Sequence, residues 1–228
     1  MQAPETIKEP KIIALRPKLA ASLILTRTQS NGTKEVLLGR RSGHHVFMPK
    51  KYVFPGGRVD RIDTYAPLAR ELSRETSDLM GRALSAPRAR AVAAAALRET
   101  AEETGLLIAQ PGAIRSAHPA WAPFRNAGVQ PTAEPLRLMT RAITPPGRKR
   151  RFDAWFFHVE IDHLYGDQNP VSNGELEDLK WVDLDEARHL DIPHITHFVL
   201  EETKAQLKAP QPIRYVRTRH KSEEVVAL

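Results

Sequence analysis

Short runs of hydrophobic residues separated by polar turns extend along most of the chain and predict alternating strands and helices. The runs LAASLILTR (19–27) and KEVLLGRR (34–41) have the length and composition of strands. The Asn31-Gly32 pair between them is typical of a hairpin turn. A third run, KYVF (51–54), leads into Pro55-Gly56-Gly57. Two glycines in succession after a strand indicate tight backbone geometry or a ligand close to the main chain.

Two helices are predicted in the middle of the chain. Residues 66–84 have a helical composition and are followed by Ser-Ala-Pro. A second helix over residues 88–104 begins after Pro87 and ends at Gly105, since glycine commonly terminates helices. Its alanine-rich run at residues 91–96 permits a close approach to a sheet, and residues 106–109 resume as a strand.

The second half of the chain is predicted to complete the sheet and add a helix. Residues 110–135 are expected to form a long loop with a short helical turn near Trp121, where Trp121 and Phe124 fit packing better than stacking on a base. Strands are predicted at residues 136–144, 151–161 and 176–184, and a helix at residues 194–208. The order predicts an α/β fold with helices on both faces of a mixed sheet.

This order also predicts how the chain is divided. Residues 1–18 form an N-terminal extension, residues 19–208 one domain, and residues 209–228 a tail with one β-like piece and a mobile end.

Composition excludes several classes of protein. No hydrophobic run approaches the roughly 20 residues that span a bilayer, so no membrane segment is expected. The chain has no cysteine, which excludes disulfides and thiolate metal sites. A cytoplasmic protein is therefore the expectation.

The net charge of +7 and the pI near 9.8 invite a nucleic-acid interpretation. The basic residues are spread out, however, except at 148–151 and 214–221, and nucleic acid is an unlikely partner. Solvated faces and a basic tail are the favoured explanation of this charge, and attraction of a phosphorylated small molecule is the main alternative. Arg148, Arg150 and Arg151 are candidates for binding a substrate phosphate, with a solvated hairpin end as the alternative.

The stretch RETAEETGLL (98–107) carries the strongest chemical signal. On a helix, Glu99, Glu102 and Glu103 share one face, where their like charges repel. A hard cation such as Mg²⁺ or Mn²⁺ resolves this repulsion because it binds several oxygen ligands. Arg98 lies four positions before Glu102 and can hold a carboxylate in place. The alternative is a solvated glutamate-rich face.

These residues resemble the Nudix box. The stretch matches Arg-Glu-hydrophobic-x-Glu-Glu-x-Gly-hydrophobic at every specified position except Thr100, and FPGG (54–57) resembles the glycine pair that opens the box. The resemblance implies a Nudix α/β/α sandwich and a diphosphatase that uses Mg²⁺ or Mn²⁺. Its substrate would be a nucleoside diphosphate linked to another group, and a homodimer is possible.

The resemblance also implies roles for individual residues. Glu99 and Glu103 would be direct metal ligands, and Glu102 a direct or water-mediated one. The carbonyl of Gly56 would complete the metal site, and Arg98 would orient a glutamate.

The resemblance leaves two kinds of candidate for the base that takes the proton of the attacking water. It is either a glutamate of the box or an acid on a later loop, and Glu175 is the best candidate on that loop, followed by Glu177. A solvated turn is the alternative for both. Arg98, Glu102 and Glu175 are thus the candidate catalytic residues.

The two halves of the box lie unusually far apart. Arg98 follows Gly57 by 41 positions, where the family pattern has 14, and an insertion of about residues 63–88 is predicted. The family's glutamate six positions after the glycine is Asp63 here. Counting back eight positions from Arg98 gives Arg90 instead of an acid, which puts the supporting role of that acid in doubt.

A second stretch within the insertion, RELSRETS (70–77), begins like the box. Arg74 and Ser77 then stand where a glutamate and the glycine should be. A cation among metal ligands is implausible. We therefore interpret this stretch as an amphipathic helix with Glu71–Arg74 and Arg74–Asp78 pairs on its solvated face.

The interruption of the box narrows the resemblance to one branch of the Nudix family. Together, residues 40–57 and 143–157 are similar to the Nudix branch that includes the mammalian peroxisomal coenzyme A diphosphatase, whose box is also interrupted. Cleavage of CoA or acyl-CoA to 3′,5′-ADP and a 4′-phosphopantetheine product is then implied. The better-known CoA signature is not met, because Val46 and Lys50 occupy its Arg and Gly positions. The alternatives are ADP-ribose, dinucleotide, nucleotide-sugar or capped-RNA substrates, or a non-catalytic binding or regulatory module.

Overall fold

The computed structural model of the protein describes residues 15–43, 48–219 and 222–228. Its helices are α1 (Arg74–Gly81), α2 (Ala86–Thr104), α3 (Ala122–Asn126) and α4 (His194–Lys208). Its strands are β1 (Lys18–Thr28), β2 (Lys34–Arg41), β3 (Tyr52–Val53), β4 (Gly56–Arg58), β5 (Leu107–Pro111), β6 (Val129–Pro131), β7 (Arg137–Ile143), β8 (Phe152–Glu160), β9 (Leu164–Tyr165), β10 (Leu176–Asp183), β11 (Arg214–Arg219) and β12 (Ser222–Ala227).

The main sheet is mixed and has β1 near its centre. The strands follow the order β10-β2-β1-β8-β7-β11-β12, with β3 paired to β2 and β4 paired to β1. The β1–β8 and β7–β11 pairs are parallel, and the remaining pairs are antiparallel. A smaller sheet has the order β6-β5-β9. The β4 strand lies beside β1 and places the Gly-Gly pair at the middle of the main sheet.

Each face of the main sheet has its own hydrophobic core. Leu23 and Leu25 of β1 pack with the α2 helix in one core, whereas Ile24 packs with α4 residues such as Leu200 in the other. This alternation follows from the two-residue period of a strand. The result is a mixed α/β sandwich with helices on both faces, which confirms the predicted fold class.

Helix α2 matches its prediction closely. It ends at Gly105, which adopts a left-handed conformation (φ 70°) and donates its N–H to the Ala101 carbonyl. The alanines at 93–96 are fully buried against the sheet, as their small side chains allow. Because α2 packs closely on β1, its last turn is fixed over the Gly-Gly strand β4.

The predicted helix at residues 66–84 is wrong in its first half, since α1 begins only at Arg74. The preceding backbone makes sheet-like bonds instead: Ala69 N donates to Pro131 O, and Ala133 N donates to Arg70 O. Pro67 also disfavours a helical conformation at the residue before it. Ser73 then caps α1 by accepting a bond from Thr76 N.

The predicted charge pairs of this region are half right. The Arg74–Asp78 pair forms, at 3.6 Å and on the exposed surface. Glu71 precedes the helix and pairs with Arg90 of α2 at 2.9 Å, not with Arg74. The segment that joins the Gly-Gly region to α2 (residues 66–85, called the linking segment below) is therefore attached to α2 through Arg90.

The predicted long loop at residues 110–135 has more structure than expected. It contains a 3₁₀ turn (Pro119–Trp121), α3 and β6. Trp121 and Phe124 are fully buried with ring centroids 5.9 Å apart, which confirms that they pack in the core. These two rings fix the loop against the domain.

The ends of the chain bear on the tail predicted above. Residues 1–14 of the predicted extension lie outside the described residues. The predicted β-like piece of the tail corresponds to β11, which pairs with β7 in the main sheet, whereas the segment predicted to be mobile contributes β12, which pairs with β11. The domain boundaries remain a prediction. None of the helices among the described residues is long and apolar enough to cross a membrane.

Candidate functional site

The last turn of α2 faces the strand β4, and glycine at position 57 allows the two to touch. A Cβ atom at Gly57 would lie 2.4 Å from the carboxyl carbon of Glu99. The Glu99 carboxylate therefore occupies space that any side chain would take. The Gly-Gly pair predicted tight backbone geometry or a ligand close to the main chain, and at Gly57 it is the Glu99 carboxylate that lies against the main chain.

Gly56 is required for a different reason. Its φ of 151° is a conformation that L side chains rarely adopt, and a Cβ would lie 2.3 Å from the carbonyl oxygen of Ala21 in β1. The backbone N–H of Gly56 donates a 2.7 Å hydrogen bond to Glu103 Oε2. Gly56 thus holds the strand and one glutamate together.

Arg98 is the centre of the carboxylate cluster. Its Nη1 lies 2.8 Å from Glu99 Oε1 and 2.9 Å from Glu102 Oε2. Its Nε and Nη2 donate to the two oxygens of Asp63 at 2.8 and 3.1 Å. Although burial lowers the pKa of Arg98, the hydrogen bonds to Asp63 and the surrounding carboxylates raise it above its usual value. One guanidinium thereby orients three carboxylates.

Asp63 is a site residue whose role sequence reasoning left in doubt. It is fully buried, in the 3₁₀ turn Arg61–Tyr65, and also accepts a 2.7 Å bond from Asp60 N. The signal was its position six residues after Gly57, which matches the family's acid although aspartate is shorter. The bidentate bond to Arg98 joins the segment that follows the Gly-Gly strand to α2.

Burial raises the pKa values of the glutamates on α2. It raises the pKa of Glu103 to about 8, reinforced by the charges of Glu99 and Glu175 and opposed by the Gly56 N–H and Arg41. It raises the pKa of Glu99 to about 7, against the opposing effect of Arg98. The pKa of Glu102 is raised by burial as well. Burial therefore disfavours the charged forms of these neighbouring carboxylates, an effect that a bound cation would offset.

The cluster fits a hard divalent cation. Asp63, Glu99 and Glu102 contact Arg98, Glu103 is bonded to Gly56, and the candidate ligand atoms are all oxygen, which suits Mg²⁺ or Mn²⁺. Across the described residues, no three acidic or histidine side chains already converge on one point as a metal site. Glu99 and Glu102 turn to Arg98 instead, and Glu103 turns to Gly56.

A family model described as NUDIX domain matches residues 86–202, which is more than half of the chain. The chain belongs to the Nudix family. The match begins at the first residue of α2, after the linking segment, so the Gly-Gly strand lies outside it. A search of curated proteins found no match.

Solved structures agree with this assignment. A Nudix hydrolase from Alicyclobacillus acidocaldarius is 27% identical, with a TM-score of 0.63 over 86% of this chain and 93% of that one. The Nudix domain of Shewanella oneidensis NrtR, solved with ADP-ribose, is 12% identical, with a TM-score of 0.50 over 88% of this chain and 94% of that one. The second likeness shows the fold alone. Like the members of its family, the chain is a hydrolase of phosphoanhydride bonds.

The predicted base, Glu175, lies on the exposed turn before β10. It is close enough to this Nudix site to raise the pKa values of Glu102 and Glu103 by its charge. The second candidate, Glu177, lies 3.6 Å from Arg40 in an exposed ion pair. The structure therefore associates Glu175, rather than Glu177, with the glutamates of α2.

The predicted phosphate ligands lie in the turn between β7 and β8. Arg148 and Arg150 are exposed there. Arg151 instead donates to the carbonyl oxygens of Thr144 and Leu15 and joins the turn to the N-terminal part of the described chain. The interactions of Arg151 described here are structural.

Arg90 is a second residue whose purpose the sequence did not show. It stands where the Nudix pattern has an acid, and it binds the linking segment. Besides its ion pair with Glu71, it donates to the carbonyl oxygens of Thr64 and Ala66 at 3.1 and 2.7 Å. Arg90 thus attaches the chain that follows Asp63 to α2.

Proposed function

We propose that this site hydrolyses a nucleoside diphosphate linked to another group, with a divalent cation held by Glu99, Glu102, Glu103 and the Gly56 carbonyl. The observation that carries the proposal is the group of carboxylates around Arg98 at the end of α2, pressed against the Gly-Gly strand. A bound cation would neutralise the diphosphate and activate the attacking water.

Side chains of the protein are proposed to supply the other functions, namely positioning, proton transfer and attraction of the substrate. Arg98 and Asp63 hold the glutamates in position, so that little reorganisation accompanies the reaction. Glu175 is proposed as the base that accepts the proton of the attacking water, because its charge already acts on Glu102 and Glu103. Arg148 and Arg150 are proposed to attract substrate phosphates, since both are exposed cations.

The substrate class that we propose is CoA or acyl-CoA, cleaved to 3′,5′-ADP and a 4′-phosphopantetheine product. The support is the interrupted box and the similarity of residues 40–57 and 143–157 to the CoA-cleaving Nudix branch. Of these, residues 44–47, which include Val46, lie outside the described residues. The positive net charge of +7 is consistent with a strongly anionic substrate.

A substrate panel tests this proposal. Purified protein with Mg²⁺ or Mn²⁺ would receive CoA, acetyl-CoA, ADP-ribose, a dinucleoside polyphosphate, a nucleotide sugar and capped RNA, with products identified by mass spectrometry. The expected result is 3′,5′-ADP from the two CoA substrates and no activity after chelation of the metal. Cleavage of nucleotide sugars without cleavage of CoA would contradict the substrate assignment. Absence of hydrolysis of every diphosphate would contradict catalysis and favour a binding module.

A further inference from the structure

A cavity of about 480 Å³ opens beside the carboxylate cluster. Its lining includes Arg98 and Glu102 of α2, residues Arg61, Ile62 and Tyr65 of the 3₁₀ turn, and His118. The volume is in the range of small-molecule sites. Because Glu102 belongs both to the cavity and to the proposed metal site, a group bound in the cavity would be continuous with the reacting diphosphate.

Tyr65 gives this cavity an aromatic wall. Tyr65 is 68% exposed, whereas the aromatic rings of Trp121 and Phe124 are buried in the core. An exposed ring at the edge of a cavity offers a flat face to a nucleobase, and stacking of this kind tolerates any base. The apolar side chain of Ile62 lies beside it on the same turn.

Arg61 gives the cavity a free positive charge. Arg98 is fully engaged by three carboxylates, so it has no capacity for a substrate phosphate. The carboxylate of Asp60 accepts from the Arg61 backbone N–H and lies 3.9 Å from Arg58. Within the described parts of the chain, no ion pair engages the Arg61 guanidinium. A guanidinium in this position can bind a phosphate group.

His118 adds a hydrogen-bond donor. Its Nδ1 accepts from the backbone N–H of Ala120 at 3.2 Å, so the neutral ring carries its proton on Nε2. The wall that bears Tyr65 is also firmly held, because Arg90 binds the carbonyls of Thr64 and Ala66 on either side of it. Hydrogen bonds therefore hold His118 and the backbone on either side of Tyr65 in place.

We propose that this cavity binds the nucleoside end of the substrate, with Tyr65 stacking on the base and Arg61 binding a phosphate on the ribose. The proposal rests on the proposed function, and it names the chemical class as an adenosine 3′,5′-bisphosphate group. The diphosphate would extend from the cavity toward Glu102, which places the pantetheine side away from Tyr65.

Kinetics with CoA and dephospho-CoA, which lacks the 3′-phosphate, test the role of Arg61. Arg61→Gln is expected to raise KM for CoA about tenfold, with little change for dephospho-CoA and little change in kcat. Arg61→Lys should recover part of the loss. Arg88→Gln, at an exposed arginine near the start of α2, is the matched control and should leave both KM values unchanged.

Direct binding tests the role of Tyr65. Isothermal titration with 3′,5′-ADP in the presence of Mg²⁺ should show about tenfold weaker binding for Tyr65→Ala and near wild-type binding for Tyr65→Phe. Tyr165→Ala, at another exposed tyrosine outside the cavity, is the control. Because Tyr65 is exposed, its substitution should not unfold the protein, and thermal unfolding of each variant checks this.

The two proposals fail in distinguishable ways. Wild-type KM values and wild-type affinity for 3′,5′-ADP in both Arg61→Gln and Tyr65→Ala would overturn the cavity proposal even if CoA is cleaved. A protein that cleaves no diphosphate, yet loses 3′,5′-ADP binding in these variants, would support the cavity and overturn the catalytic proposal.

Discussion

Two stretches of this chain begin with the same Arg-Glu pattern, and only one of them forms a site. In RETAEETG (98–105), the glutamates lie at the end of α2, half-buried or buried against the Gly-Gly strand and bound to Arg98 or Gly56. In RELSRETS (70–77), the charged side chains are exposed on the linking segment and α1. Arg70 pairs with Glu134 at 3.5 Å, with both side chains more than half exposed.

The difference lies in what each stretch packs against. The end of α2 packs against Gly57, which has no side chain and so lets the Glu99 carboxylate contact the backbone. It also packs against the buried Asp63, which binds Arg98. The second stretch has neither of these. Burial and fixed partners shift the pKa values of carboxylates and pre-organise them, whereas exposed ion pairs contribute little. The same sequence pattern therefore forms a carboxylate site only where it packs against suitable partners.

The largest effect is expected from substituting the two glutamates that occupy the same place in each stretch, Glu103 and Glu75. Glu103→Gln should lower kcat by at least about 10³-fold because it replaces an anionic proposed metal ligand with a neutral amide, while the amide oxygen can still accept from Gly56 N. Glu75→Gln should leave kcat unchanged. Steady-state hydrolysis of the best panel substrate measures both, and thermal shift with Mn²⁺ reports metal binding separately. Equal activity of the two variants would show that Glu103 of α2 does not take part in catalysis.

The next effect concerns the acid that joins the two halves of the box. Asp63→Asn should destabilise the fold by about 3 kcal/mol, because it leaves the buried Arg98 without its bidentate partner. Activity should fall too, since Arg98 also positions Glu99 and Glu102. Asp78→Asn breaks only the exposed pair with Arg74 and serves as the control. Chemical denaturation gives the free energy of unfolding. A stability equal to that of Asp78→Asn would show that the Asp63–Arg98 bond does not hold the site.

The comparison also shows which features of the molecule can be predicted from sequence. The boundaries of α2 could be predicted from the sequence, because a proline near its start, a glycine at its end and a run of alanines are local signals. The glutamate cluster was predictable for the same reason, since a helix fixes the spacing of residues three and four apart.

Features that depend on residues distant in the sequence could not be predicted from local patterns. Residues 66–73 have a helical composition, but their backbone bonds go to Pro131 and Ala133, more than 60 positions away. The β-like piece in the C-terminal tail was visible in the sequence, but its parallel pairing with the distant strand β7 was not. The role of Asp63 likewise depends on Arg98, 35 positions later, and the linking segment obscures the spacing that would reveal it.

Substitutions at the two glycines of β4 should have different effects, one mainly on catalysis and the other mainly on stability. Gly57→Ala places a methyl group where the Glu99 carboxylate lies, and the flexible glutamate can move away. We expect about a 100-fold loss of kcat/KM with little change in Tm, since a displacement of about 1 Å can have this effect. Gly56→Ala meets the backbone of Ala21 and should instead lower Tm. Equal losses of Tm in both variants would mean that Gly57 serves the fold and not Glu99.

The smallest effect distinguishes two arginines, one on each helix. Arg90→Gln should cost about 1–2 kcal/mol of stability, because it removes three contacts of a side chain that is 28% exposed. Arg74→Gln should stay within about 0.5 kcal/mol, since that side chain is 95% exposed and its only pair is solvated. Denaturant midpoints measure both. Arg90→Gln should also raise KM for CoA a few-fold by loosening the wall that bears Tyr65, whereas Arg74→Gln should not. If Arg90→Gln left both the stability and the KM unchanged, the linking segment would not depend on its attachment to α2.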